Sequence, residues 1–267
     1  MEILRPGATA HGARVALFDF DGTISTIRSG WVDVMVPMMV EALAETKSGE
    51  SEAELTEIVR EFVGRLTGRQ TIYQMIELVE NIEKRGGKAL DPLEYKHRYL
   101  DLLWVQIKDR VEALEKGDVP PEKYVVPGSF ELLDLLQERG MKMYLASGTD
   151  HAYMKREAHL LGLERYFGEH IYGALDDYKS FSKAILIQRL IGGAEAKGEE
   201  FLGFGDGYVE IENVKAVGGV TVGVASDEPA CERVDDWKRE RLVNVGADYI
   251  VPNFLCHREL AATLFPQ

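Results

Sequence analysis

The strongest constraint on the fold is the apolar run VALFDF at 15–20, which breaks off in two acids and a glycine, Asp19, Asp21 and Gly22, followed by Thr23. A hydrophobic strand that ends this way delivers its charges to the carboxyl edge of a sheet, where open α/β folds bind ligands. Alternate residues of a strand point the same way, so Asp19 and Asp21 can face one site. One carboxylate can then attack an electrophile while its neighbour trades a proton with the leaving group. Two surface acids at an ordinary turn are the plain alternative.

Three further strings follow the same logic. In MYLASGTD an apolar stretch from Met141 to Ala146 runs into Ser147, Gly148, Thr149 and Asp150 ahead of a helical segment. A hydroxyl and free backbone amides at a strand-to-helix turn can cradle a phosphate. In DDYKSFSKAILIQRL both Lys179 and Lys183 are candidates for a site lysine, and Lys183 opens the amphipathic run Ile185, Leu186, Leu190. In EEFLGFGDGYVEIENVKAVGG a buried strand from Phe201 to Phe204 leads into Gly205, Asp206 and Gly207, with Glu210 one helical turn on. Hard oxygen ligands clustered like this suit Mg²⁺.

Taken in order, DFDGT, the Ser147 string, the lysine and the Asp206 string resemble the haloacid dehalogenase superfamily of phosphohydrolases, in the branch like phosphoglycolate and phosphoserine phosphatases. The resemblance implies a Mg²⁺-dependent phosphatase acting through an aspartyl phosphate. Asp19 would be the nucleophile, Asp21 the acid and base, and Lys183, at the family's usual interval from Asp206, the lysine that pairs with the attacking carboxylate; Lys179 is the reserve. Thr23, Ser147 and Gly148 would bind the phosphoryl oxygens. Asp19, Asp206 and the backbone carbonyl of Asp21 would hold Mg²⁺. Glu210 stands where the family usually has Asp, so it would ligate directly or through a bound water. A phosphomutase like β-phosphoglucomutase shares the whole site and is the alternative, and a non-catalytic sugar-phosphate-binding module is a further one. Dehalogenases of the superfamily generally lack the second acid and need no metal, so Asp21 and Asp206 count against them.

Elsewhere the chain alternates strand and helix, as a parallel, doubly wound α/β sheet of about six strands requires. The exception is 29–125, which contains no convincing strand. Leu55, Ile58, Val59, Phe62 and Leu66 have helical spacing behind a possible Ser51–Glu54 capping box, and similar stripes run through Thr71 to Lys84 and Pro92 to Glu115. This block resembles the family's inserted all-helical cap of the first type, with 1–28 and 126–267 forming the core domain and hinges near Ser25 to Gly30 and Lys123 to Gly128. Closure of such a cap excludes water and contributes specificity. Arg69 and Gln70 at a helix start, and Arg28 and Trp31 beside the first hinge, are the candidates for substrate selection. Their ordinary alternative is a solvated helix terminus.

Composition sets the outer limits. A chain of 267 residues with 45% hydrophobic content can bury a full core, and no apolar stretch reaches the ~20 residues that span a bilayer. The formal charge of −14 argues against a nucleic-acid partner, since phosphate backbones demand basic surface. An anionic substrate would therefore need positive charge focused at the site. No secretory signal is expected from the first residues, and Cys231 and Cys256 fit a reducing cytoplasm, with a single disulfide left open. The expectation is a cytoplasmic monomer or homodimer acting on a small organic phosphate ester, sugar phosphates included.

Overall fold

The computed structural model describes residues 1–175, 177, 182–193 and 196–266. Among these residues, seven strands form one sheet in the order β1-β7-β6-β5-β2-β3-β4. In chain order they are β1 (Glu2–Ile3), β2 (Val15–Phe18), β3 (Lys142–Asp150), β4 (Ile171–Ala174), β5 (Phe201–Gly205), β6 (Val220–Val224) and β7 (Tyr249–Val251). All pairings are parallel except that of β1 with β7. The short edge strand β1 is the one addition to the six expected. Two residues carry no period to read.

β2 lies between β5 and β3, in register Phe18 with Phe204 and with Leu145. All four of its residues are buried, because helices cover both faces of a parallel sheet. Phe18 stacks on Phe204 at 4.4 Å between centroids, and Phe167 and Phe254 meet this pair edge-on. Such aromatic contacts add about 0.5–1.5 kcal/mol each beyond area burial. They anchor the end of β2 that carries Asp19.

Helices α1 (Val32–Ala44), α2 (Glu52–Leu66), α3 (Thr71–Lys84) and α4 (Pro92–Glu115) follow β2 and pack on one another. The Ser51–Glu54 capping box at the head of α2 is formed in both directions. The chain's two crossings between these helices and the sheet are tied together: Thr26 N donates to Tyr124 O at 2.9 Å, and Val126 N to Ile24 O at 2.9 Å. The remaining helices are α5 (Ser129–Glu138), α6 (His151–Leu160), α7 (Glu164–Phe167), α8 (Lys183–Gly192), α9 (Tyr208–Ala216), α10 (Asp236–Asn244) and α11 (His257–Leu264). Both cysteines are free, and no described helix is long and apolar enough to cross a membrane.

β3 differs from the sequence reading. The SGTD segment, expected to be a turn after Ala146, continues the strand to Asp150, with a register shift against β4 between Ala146 and Asp150. A bulge of this kind bends a strand and re-aims its side chains. Here the bulged segment carries the hydroxyls of Ser147 and Thr149 to the tip of β2.

Candidate active site

Asp19 directly follows β2, and its N–H donates to Phe204 O at 2.9 Å, so the carboxylate is locked to the neighbouring strand. Lys183 is the first residue of α8, whose start is capped by Ser182 accepting from Ile185 N at 3.1 Å. Its ammonium lies 2.8 Å from Asp19 Oδ1 and 2.6 Å from Glu210 Oε2. Burial opposes the charge on Lys183, but Asp19 and Glu210 more than offset it and raise its pKa. Glu210 is wholly buried in the first turn of α9, and its Oε1 accepts the Gly207 N–H at 2.9 Å. Burial pushes its carboxyl upward, against the pull of Lys183. The other lysine candidate, Lys179, lies outside the described residues.

Asp21 sits in different surroundings. Thr149 Oγ1 donates to its Oδ2 at 2.7 Å and Ser147 Oγ at 3.2 Å, while Oδ1 is buried without a hydrogen-bond partner. The guanidinium of Arg28 approaches that Oδ1 to 4.0 Å. Burial pushes the Asp21 carboxyl up to about 7, with Arg28 pulling the other way. Two acids two residues apart thus have different partners, Asp19 an ammonium and Asp21 two hydroxyls.

Asp206 follows β5 and faces Asp19 across the tip of the sheet. Its Oδ2 is 3.0 Å from Lys238 Nζ, which also lies 2.6 Å from Glu228 Oε1. Ser29, at the first crossing into the helical block, donates to Glu228 Oε2 at 2.5 Å. Space here is tight: Gly22 has φ +73°, and a Cβ on it would stand 2.3 Å from Asp206 Oδ2 and 2.8 Å from Glu228 Oε1. Only glycine fits that turn without moving an acid. Asp19, Asp206 and Glu210 each offer an oxygen within 4.8 Å of the others. Three hard oxygens this close fit a small divalent cation, which would relieve their mutual repulsion.

Several of the side chains expected to meet phosphate or substrate have partners within the protein. Thr23, expected to donate to a phosphoryl oxygen, is fully buried, and its hydroxyl accepts the Asp206 N–H at 2.9 Å, tying the two acid turns together. Ser147 donates to Asp21 and accepts the Thr149 N–H at 2.9 Å. Arg28, expected to meet substrate, lines the cavity described below, and its guanidinium is bonded to Glu157 on α6 at 2.6 to 3.1 Å. Sequence reasoning missed Thr149, Glu157, Glu228 and Lys238. Thr149 stood in the quoted string and could have been found; the other three are unremarkable charged residues in helices or a loop.

The four helices after β2 roof the acids and leave a cavity of about 90 Å³. Its walls include Trp31, Met35, Tyr99 and Leu100 from the roof and Asp19, Asp21 and Asp206 from the floor. Arg69 also lines it, but its guanidinium lies over the Tyr73 ring at 5.4 Å, and Gln70 lines a neighbouring opening with Tyr73 and Lys183 instead. Roof and floor meet closely at Gly148, where a Cβ would stand 2.5 Å from the Arg69 carbonyl oxygen. Gly148→Ala is therefore expected to push the α2–α3 connection off the site, lowering kcat/KM by about 10- to 100-fold, as misplacement near 1 Å does. Steady-state kinetics beside a melting curve check this, with Tm expected to fall much less than activity.

A family model described as haloacid dehalogenase-like hydrolase matches residues 13–218. No curated protein matches the chain. Among solved structures, a predicted phosphoglycolate phosphatase from Haemophilus somnus is 14% identical with a TM-score of 0.59, covering 94% of this chain and 98% of its own. A β-phosphoglucomutase from Clostridium difficile is 13% identical with a TM-score of 0.60, covering 94% and 97%. A haloacid dehalogenase-like protein of unknown function from Agrobacterium tumefaciens is 16% identical with a TM-score of 0.59, covering 94% and 99%. At these identities the likeness is one of fold.

Proposed function

Since the chain belongs to the haloacid dehalogenase-like hydrolases, we propose that it is a Mg²⁺-dependent phosphatase that hydrolyses a small organic phosphate monoester through an aspartyl phosphate. The observation that carries this reading is the different partnering of the two acids: Asp19 lies 2.8 Å from the Lys183 ammonium, while Asp21 takes the hydroxyls of Thr149 and Ser147 and its carboxyl is pushed up to about 7. A nucleophile must be charged, and an acid must arrive protonated.

Asp19 attacks phosphorus in line; the P–O bond to the alcohol breaks, and the Asp21 proton goes to the departing oxygen. Asp21, now a carboxylate, takes a proton from water, whose oxygen attacks phosphorus, breaks the acyl phosphate bond and restores Asp19. Thr149 and Ser147 orient Asp21 through both steps. Lys183 offsets the charge of Asp19 as the anionic phosphoryl group approaches. Asp19, Asp206 and the backbone carbonyl of Asp21 would hold Mg²⁺, and the bound ion would neutralise charge on the phosphoryl oxygens. Because both oxygens of Glu210 already have partners, its part is chiefly to hold Lys183.

The test is a panel of phosphate esters with Mg²⁺. Release of inorganic phosphate, abolished by a chelator and restored by Mg²⁺, is the expected result, and full turnover in excess chelator overturns the reading. Recovery of the phosphoryl group on a second sugar hydroxyl, without free phosphate, would identify a mutase. Asp21 adds a pH prediction: kcat/KM for an alkyl ester should fall as pH rises through about 7, because the protonated form is lost. The fall should be shallower for para-nitrophenyl phosphate, whose leaving group departs without a proton.

A further inference from the structure

Among the described residues, each buried cation at or behind the wall of the cavity already has a carboxylate against it. Lys183 is held by Asp19 and Glu210, Lys238 by Asp206 and Glu228, and Arg28 by both oxygens of Glu157. Lys96, from α4 in the roof, lies 2.5 Å from Asp150 Oδ1, and Asp150 itself lines the cavity. Arg69 is exposed and stacked on Tyr73. One wall of the cavity is apolar and aromatic, with Met35 and Tyr99 buried and Trp31 and Leu100 half-buried beside them, while Thr67, Thr71 and Gln74 line it elsewhere.

A second anionic group on the substrate would have to leave water for this space and lie among carboxylates whose cations are committed. Burying a charge without a partner is costly. An apolar group would meet matching surface and displace water from it.

Resting on the phosphatase reading above, we propose that the alcohol released from phosphorus is uncharged and carries an apolar or aromatic portion that packs on the Trp31, Met35, Tyr99 and Leu100 wall. Esters whose leaving group bears a carboxylate are rejected by the same cavity. This sets the chain apart from an enzyme specialised for an acid-bearing phosphate, for which a buried and uncommitted cation would be required.

The experiment compares kcat/KM, with Mg²⁺ present, for benzyl phosphate against 2-phosphoglycolate and O-phosphoserine. Benzyl phosphate is expected to be preferred by at least ~10-fold, the scale of one mismatched group in a binding site. In the Leu100→Arg variant, which adds a cation without a built-in partner to the wall, the ratio should move about 10-fold toward 2-phosphoglycolate. Hydrolysis with equal or reversed preference in the unaltered protein overturns this inference and leaves the phosphatase reading standing. A ratio unmoved in a folded Leu100→Arg variant also overturns it, since the leaving group then does not touch this wall. Hydrolysis of none of the three esters, nor of para-nitrophenyl phosphate, overturns the phosphatase reading and this inference together.

Discussion

Asp19→Asn is expected to abolish turnover, by a factor on the order of 10⁴ or more, while the protein remains folded. The substitution is nearly isosteric, and the backbone bond from residue 19 to Phe204 O does not depend on the side chain. What disappears is the attacking charge, for which no other group of the site can substitute. Asp206 and Glu210 are taken by Lys238 and Lys183, and Asp21 is turned toward Thr149 and Ser147. Lys183 keeps Glu210 as a partner, so the buried ammonium is not stranded. The check is phosphate release by the purified variant beside its circular dichroism and Tm. A native spectrum with retained turnover would remove Asp19 from the nucleophile's place.

Lys183→Met should damage both stability and activity. It leaves Asp19 and Glu210 buried beside each other without their cation, and removing one partner of a buried ion pair costs about 3–5 kcal/mol. A chemical denaturation curve reads that loss, and phosphate release reads the catalytic one. The two effects are separable with Lys183→Met/Glu210→Gln, which removes one stranded charge. It should recover part of the stability and none of the turnover, because the charge beside Asp19 and the phosphoryl group is still missing. Recovery of both would make Lys183 a structural lysine alone. Lys179→Met should cost less than Lys183→Met in the same assays, and the opposite ranking would transfer the role to Lys179.

Much of this architecture was readable because it is written locally. The apolar run before Asp19, the 3.6-residue stripes of 51–115 and the Ser51–Glu54 box each lie within a few turns or one strand, and elements so short obey period and capping rules. The bulge in β3 was not readable. MYLASGTD satisfies a strand followed by a turn as well as it satisfies a longer bent strand, and contact with β4 and the tip of β2 selects the second.

The sequence by itself determined an α/β sheet with a helical insertion, the order of its elements and the acids at one sheet edge, because strand and helix periods and the chain direction of parallel units leave few alternatives. Tertiary structure decided which charges meet. Arg28 with Glu157, Lys238 with Asp206, and Lys96 with Asp150 are partners far apart in the chain. The composition, with its formal charge of −14, offers many carboxylates for each of those cations. Burial makes the choice: a charge that loses water must find a partner within about 3 Å or remain unformed, and only the closed fold determines which carboxylate stands there.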